Sequence, residues 1–418
     1  MYLCSLISYN LHTLDNGLTL IHHEDKNTPM CVTNILYNVG ARDEKPDKTG
    51  FAHLFEHLMF GGSENIPSFD TPLQKAGGEN NAFTNNDITN YYITIPKENI
   101  DTALWLESDR MLKLNFSQKS LNVQKGVVIE EFKQRYLNQP YGDAWLNLRP
   151  LSYKIHPYQW ATIGKEISHV ENATLQEVEE FFYQYYNPSN AIMCIAGNID
   201  FETAVNKTIH WFSDIPAGKK NTNHYPIETE NEGKRNLKIC SNVPQKALYM
   251  SYKMVERMNP LYYGFDLLSD ILSRSESSRF TEKLVKEKSI FNQISCYITG
   301  DINEGLFVIE GKLCENVSFE LAEKEVMDTI NEITKNGIEE KELIKVKNKF
   351  ITSNLFAKTS VLNKAMALCY GHLVNNINLI NEEIELIKKV DAEQIKLICN
   401  NYLTENRLNS LYYQPENE

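Results

Sequence analysis

Apolar positions recur along this chain at two spacings, and the switch between them lays out the elements. Leu11-His12-Thr13-Leu14 and Leu18-Thr19-Leu20-Ile21 flank Asp15-Asn16-Gly17, the pattern of two strands joined by a tight turn. Val32 to Val39 reads as a further strand, and Ile88 to Ile95 as another that Pro96 ends. Between them, Gly50 to Phe60 has no proline and no internal glycine, and apolar residues fill most positions, which predicts a buried helix. Helices are expected near 98–114 and 117–137. Thr174-Leu175-Gln176-Glu177 is a capping box opening a helix to about Tyr186, where Asn187-Pro188 stops it. A strand at 191–196 and a helix at 201–212 complete this half.

Asp214 to Arg235 is polar throughout and reads as a linker. Beyond it the order restarts, with a strand at 247–253, helices at 261–273 and 278–287, strands near 292–312 and then long helices. Gly264 to Leu272 can be laid over Gly50 to Leu58, and Leu267 and Ile271 then stand where His53 and His57 stand. This predicts an internal duplication with one emptied site. Residues 1–218 form the half carrying the chemistry, 219–236 the linker, and 237–418 the diverged copy. Consecutive helices are too numerous for a doubly wound sheet, so the expected class is α+β, a mainly antiparallel sheet packed by several helices in each half.

Composition narrows the function. A chain of 418 residues is too long for one core, and its 42% hydrophobic and 23% charged residues are those of an ordinary globular protein. A net charge of −13 without a basic stripe argues against nucleic acid as a partner. The eight cysteines (4, 31, 194, 240, 296, 314, 369 and 399) include no C-x-x-C pair, and several lie in apolar runs, so reduced buried thiols are expected rather than disulfides. Met1 to Asn10 lacks the basic and long apolar regions of a signal peptide, and no apolar run reaches the length of a membrane span. The expected location is therefore cytoplasmic, or periplasmic if a leader has been trimmed away.

The chemistry lies in His53-Leu54-Phe55-Glu56-His57. On a helix, residues four apart project from one face, so both imidazoles can reach one metal ion. Glu56, three residues after His53, leans toward the same place without having to bind, which leaves it free to take a proton from water at the metal. Two neutral imidazoles plus a carboxylate suit zinc, and an open fourth position makes such a site catalytic. The plainer alternative is a pair of structural histidines, but three ionisable groups on an apolar helix are costly to bury without a task. The adjacent His22 and His23 point to opposite faces of a strand, cannot chelate together, and are expected at the surface. A third protein ligand is required, and Glu130 and Glu131 are the candidates. They point about 100° apart on a helix, so only one can face the site. Val127 and Val128 mark the buried side, which selects Glu131 and leaves Glu130 exposed or behind the ligands.

His53-Leu-Phe-Glu56-His57, with Glu131 74 residues after His57, resembles the inverted-motif zinc peptidases of the pitrilysin and insulysin family, nearest the branch of the mitochondrial processing peptidase. Gly77-Gly78-Glu79-Asn80-Asn81-Ala82-Phe83-Thr84, His156-Pro157-Tyr158 with Ile163-Gly164, and Tyr186-Asn187-Pro188-Ser189-Asn190 extend the likeness over essentially the whole chain. The resemblance implies half of a clamshell around a closed chamber that admits unfolded peptides. It implies one zinc held by His53, His57 and Glu131, with Glu56 as general base. It also implies an edge strand at Asn81, Ala82, Phe83 and Thr84 on which substrate pairs, Asn81 and Phe83 being the named contacts.

Two departures from the family pattern matter. Where relatives carry a Glu seven residues before the third ligand, this chain has Gln124, which keeps a hydrogen bond to a ligand but brings no charge. Relatives whose halves act together supply an Arg and, seven residues later, a Tyr that grip the substrate carbonyl; here Val285 and Asn292 stand there. Losing one such donor costs about a hundredfold or more in rate. The expectation is therefore a zinc-bearing subunit of a heterodimer whose metal-free homologous partner supplies the pair. A self-sufficient homodimer and a non-catalytic subunit like the core proteins of respiratory complexes are the alternatives.

Overall fold

A computed structural model describes residues 6–416. Residues 1–5 and 417–418, and with them Cys4 and the first half of the Met1–Asn10 segment, lie outside that description. The strands are β1 (Asn10–Thr13), β2 (Thr19–Glu24), β3 (Met30–Tyr37), β4 (Glu79–Thr84), β5 (Thr89–Pro96), β6 (Ala191–Gly197), β7 (Arg235–Ser241), β8 (Ala247–Lys253), β9 (Phe291–Ile298), β10 (Leu306–Leu313) and β11 (Asn409–Pro415). The helices of the first half are α1 (Phe51–Leu58), α2 (Asp70–Lys75), α3 (Ile100–Leu112), α4 (Gln118–Phe132), α5 (Ala144–Ser152), α6 (Ile167–Glu171), α7 (Leu175–Tyr185) and α8 (Phe201–Phe212). Those of the second half are α9 (Tyr262–Ser273), α10 (Phe319–Asn336), α11 (Glu340–Ala357), α12 (Val361–Leu373), α13 (Leu379–Lys389) and α14 (Ala392–Tyr402).

The class is α+β, and the duplication is written in the strand order. One sheet runs β1-β2-β6-β3-β5-β4 and the other β7-β11-β8-β10-β9. Setting β1 aside, the two orders are the same. In each, the first strand pairs parallel with the last strand of its half, Thr19 opposite Ile192 and Arg235 opposite Asn409, and the other pairings are antiparallel. The helix that follows the second shared strand is α1 in one half and α9 in the other. The capping box opens α7 as expected, Thr174 accepting from the Glu177 N–H.

Compact units do not follow the division at 218 and 237 by chain order alone. One unit comprises residues 1–132, 160–224 and 355–383, and the other 133–159, 225–354 and 384–418. Each sheet has a face on which a helix from the other half of the sequence lies. In the first unit α12 lies on β3 and β6, burying Ala365, Leu368 and Cys369 against Val32, Leu36 and Cys194. In the second, α5 lies on β8 and β11, burying Ala144 and Leu148 against Tyr249 and Leu411. The opposite face of the second sheet carries α9, α10 and α14 around Phe265, Leu268, Phe307 and Ile309.

Three expectations change. His22 and His23 do point to opposite faces, but both are buried, 1% and 6% exposed, because β2 lies inside its sheet. Each finds a backbone carbonyl, His22 Nε2 that of Ile199 at 2.8 Å and His23 Nδ1 that of Ser8 at 2.7 Å. The strands β7 and β11 are additions that the polar-apolar pattern did not announce. The linker has no regular structure from 213 to 234 but is not loose. Within the second unit the Glu228 carboxylate accepts three consecutive N–H groups, those of Lys154, Ile155 and His156, at 2.8, 2.9 and 2.9 Å. Among the cysteines, 31, 194, 296, 369 and 399 are buried and free, whereas Cys240 is exposed.

Candidate metal centre

The helix α1 is short, and its start is fixed by two residues outside it. Gly50, its N-cap, sits at φ +89°, and a Cβ there would come within 2.7 Å of the Ile163 carbonyl oxygen, so only glycine fits. No side chain at the cap position accepts from the first turn. The buried Glu44 carboxylate does so instead, taking the N–H groups of Gly50 at 2.9 Å and Ala52 at 2.8 Å. Burial pushes the Glu44 carboxyl well above its usual range, against the pull of those N–H groups. Phe51, Ala52, Leu54, Phe55 and Leu58 are buried, and the Phe55 ring stacks 5.0 Å from Phe181 and 5.1 Å from Tyr186. This packing fixes the rotation of α1 and leaves His53, Glu56 and His57 partly exposed on the remaining face.

Spacing then brings the imidazoles together, their ring centroids 4.9 Å apart. The third group comes from α4, which packs on α1. Glu131 Oε2 lies 3.6 Å from His53 Nε2 and 3.4 Å from His57 Nε2. Ligand atoms about 2.0–2.1 Å from one tetrahedral zinc are separated by about 3.3–3.4 Å along the tetrahedron's edges, so the observed spacings fit such an ion. Among the described residues this is the one group of three histidine, cysteine or carboxylate side chains whose ligand atoms lie within 4.8 Å of one another. Glu130 is exposed and Glu131 half-buried. The reason differs in one respect from the expectation: Val128 is buried beside Leu121 and Phe132, but Val127 is 46% exposed. Gln124 shares the Glu131 face, two turns back, and is half-buried.

Glu56 is held from the other side. The Thr84 hydroxyl donates to Glu56 Oε2 at 2.6 Å. Burial raises the Glu56 carboxyl above its usual range, and the Thr84 hydrogen bond and the nearby His57 work against the rise. Thr84 ends β4, the outermost strand of its sheet, which pairs with β5 alone among the described strands. Along β4 the side chains alternate. Glu79, Asn81 and Phe83 are exposed, while Asn80, Ala82 and Thr84 turn inward. The four residues expected to meet substrate therefore divide, Asn81 and Phe83 outward, Ala82 and Thr84 toward α1.

Among the described residues the second half holds no counterpart of this site. Leu267 and Ile271 on α9 are buried at 1% exposure each. Val285 packs against the apolar core, and the Asn292 amide donates to Gln245 Oε1 at 3.0 Å and the Leu313 carbonyl at 3.2 Å. Glu44, which caps α1, is not announced by the sequence. A helix cap six residues upstream belongs to no local motif, and Gly50 gives the helix start without saying what satisfies it.

Two family models match the chain, "Insulinase (Peptidase family M16)" over residues 19–143 and "Peptidase M16 inactive domain" over 172–350. The second includes α9, where Leu267 and Ile271 stand in place of the histidines. Among curated relatives, "Zinc protease PqqE" of Helicobacter pylori is 27% identical over 413 residues, covering 96% of this chain and 92% of the relative. "Uncharacterized zinc protease YmxG" of Bacillus subtilis is 24% identical, covering 94% and 96%. The mitochondrial-processing peptidase subunit beta of Saccharomyces cerevisiae is 25% identical over 206 residues, 49% of this chain and 44% of that one. A crystal structure of a protease from Helicobacter pylori superposes with a TM-score of 0.91 at 25% identity, covering 98% of this chain and all of that one.

Proposed function

The chain belongs to the M16 peptidase family, and from that premise we propose that it is the zinc-bearing subunit of a metalloendopeptidase that cuts unfolded peptides. The observation that carries the proposal is the meeting of His53, His57 and Glu131 beside a carboxylate, Glu56, that is held apart from them by Thr84. His53, His57 and Glu131 would hold one zinc, which when bound polarises the scissile carbonyl and makes water more acidic. Glu56 takes a proton from the attacking water and returns it to the leaving amine.

Substrate would dock as an added strand on the free edge of β4. Main-chain hydrogen bonding to an edge strand requires an extended partner, which selects unfolded segments over folded proteins. Asn81 and Phe83 project outward from β4 and would meet the side chains of that strand. A closed chamber of the family's kind would add a second filter on size. Gln124 would stand behind the ligands, where an amide in place of a carboxylate leaves ligand basicity lower, whereas Glu130, exposed on α4, takes the outward place of the two expected for it.

Val285 and Asn292 supply no free donor for the substrate carbonyl, since one is apolar and the other is committed to Gln245 and Leu313. A homologous, metal-free partner would provide it. The test joins metal analysis to kinetics. Protein prepared without chelator is expected to carry one zinc per chain, to cleave a denatured peptide when combined with its co-purifying partner, and to lose that cleavage in Glu56→Gln. Absence of zinc, or full activity in Glu56→Gln, would overturn the proposal; strong activity of the chain alone would remove the partner from it.

A further inference from the structure

We infer that Thr84 is a positioning residue for Glu56, so that the strand offered to substrate also sets the orientation of the general base; this rests on the peptidase reading above. Its hydroxyl donates to Glu56 Oε2 at 2.6 Å, the span of a strong O–H···O⁻ hydrogen bond. A glutamate side chain has three free torsions, and Glu56 is only half-buried on α1. Without a partner the carboxylate would sample several rotamers, some of them turned toward the two imidazoles. The Thr84 hydroxyl, beside a further hydrogen bond from the Thr84 backbone, selects one and keeps the carboxylate beside the ligand cluster rather than within it.

Thr84 is itself built into a rigid support. It is the last residue of β4, opposite Thr89. The turn that follows is closed by Asn85, whose Oδ1 accepts the N–H groups of Asp87 at 2.8 Å and Ile88 at 2.9 Å. That turn is pinned to the loop ahead of α1. Ala41 N–H donates to the Asn85 carbonyl at 3.1 Å and Arg42 N–H to the Asn86 carbonyl at 2.9 Å. Beneath them Arg42 and Asp87 form a buried ion pair at 2.7 Å. A Cβ on Gly40 would lie 2.5 Å from the Asn86 carbonyl oxygen, so the two loops meet at backbone distance. One end of the docking strand and the start of the metal helix are therefore a single braced piece. Inward alternation aims Thr84 at Glu56 while Phe83 next to it faces outward. A one-residue shift of β4 would reverse the two.

The test compares Thr84→Val, which keeps the branched shape and loses the hydroxyl, with Thr84→Ser, which keeps the hydroxyl. Thr84→Val is expected to lower kcat by about 10- to 100-fold with KM changed less than about twofold. Zinc content and melting temperature should stay at wild-type values. Thr84→Ser should recover kcat to within about threefold. A crystal structure of zinc-loaded Thr84→Val should find the Glu56 carboxylate moved to another rotamer. Wild-type kcat in Thr84→Val, or equal losses in both variants, would overturn the inference, the second outcome assigning the effect to packing of the methyl group. If the wild-type protein cleaves no peptide, the function proposed above fails. The crystallographic comparison then decides for Thr84 by itself: a displaced carboxylate supports the positioning role and an unmoved one refutes it.

Discussion

Replacing Glu44 by alanine should loosen the metal helix although Glu44 touches no ligand. The carboxylate takes two N–H groups of the first turn of α1, at 2.9 and 2.8 Å, in a fully buried setting. A hydrogen bond to a charged or strongly polar buried group contributes about 1.5–3 kcal/mol, and losing it strands donors that water cannot reach. Two such bonds give about 3–6 kcal/mol gross. Removing a carboxylate whose burial disfavours its charge returns part of that, so the net loss should be about 3 kcal/mol. An eight-residue helix cannot make up the difference by itself, because isolated helices of that length are unstable in water. For a unit of this size the melting temperature falls by about 2–4 °C per kcal/mol, which predicts a drop of roughly 6–12 °C in calorimetry for the transition of the unit holding the site. Zinc competition with a chelator should show affinity weakened about 10- to 100-fold, since both imidazoles ride on α1. A Glu44→Ala protein that melts within 1 °C of wild type and holds zinc equally well would refute the reasoning. It would mean that the first turn finds other acceptors.

Glu131→Gln should weaken zinc binding far more than Glu130→Gln, because the first lies within ligand distance of both imidazoles and the second is exposed; equal effects in equilibrium dialysis would contradict the assignment. Stripping the zinc should lower stability by about 2.7 kcal/mol relative to protein held at a hundred times the dissociation constant, read as a shift in a urea unfolding midpoint. Glu228 should make the protein acid-sensitive. Burial raises its carboxyl, but three backbone N–H groups more than offset this and leave it below the usual 4.5. The folded state thus binds that proton more weakly than the unfolded one. The contribution is fully present above about pH 4.5 and is lost as pH falls from there through the lower folded value. A Glu228→Gln protein should therefore differ from wild type at pH 7 and approach it as pH falls below the usual carboxylate range, whereas a gap that stays constant through acidification in thermal melts would count against this account.

The chain's linear pattern was enough to place the helix of His53, Glu56 and His57, because three chemically expensive residues stood on an otherwise apolar stretch and helical spacing alone puts them on one face. It was enough for the duplication and for the α+β class, since the order of strands and helices restarts after the linker. Choosing Glu131 over Glu130 was also possible from periodicity, although only Val128 of the two valines used for it is buried. Adjacent residues differ by about 100° on a helix, and that margin tolerates one misread neighbour.

Other features depended on which segments meet in space. Whether a strand is interior decides the fate of His22 and His23, and alternation along the strand is the same either way. That α5 and α12 cover sheets belonging to the other half of the sequence follows from the open faces of those sheets, not from anything local to either helix. Glu44 reaches the start of α1 because the loop before it folds back, and Thr84 reaches Glu56 because β4 lies beside α1. A sequence specifies periodicity, and so faces and spacings within one element, since those follow from backbone geometry. Contacts between elements far apart in the chain arise only when cores close, so the partner that orients a base or caps a helix is settled by the tertiary structure.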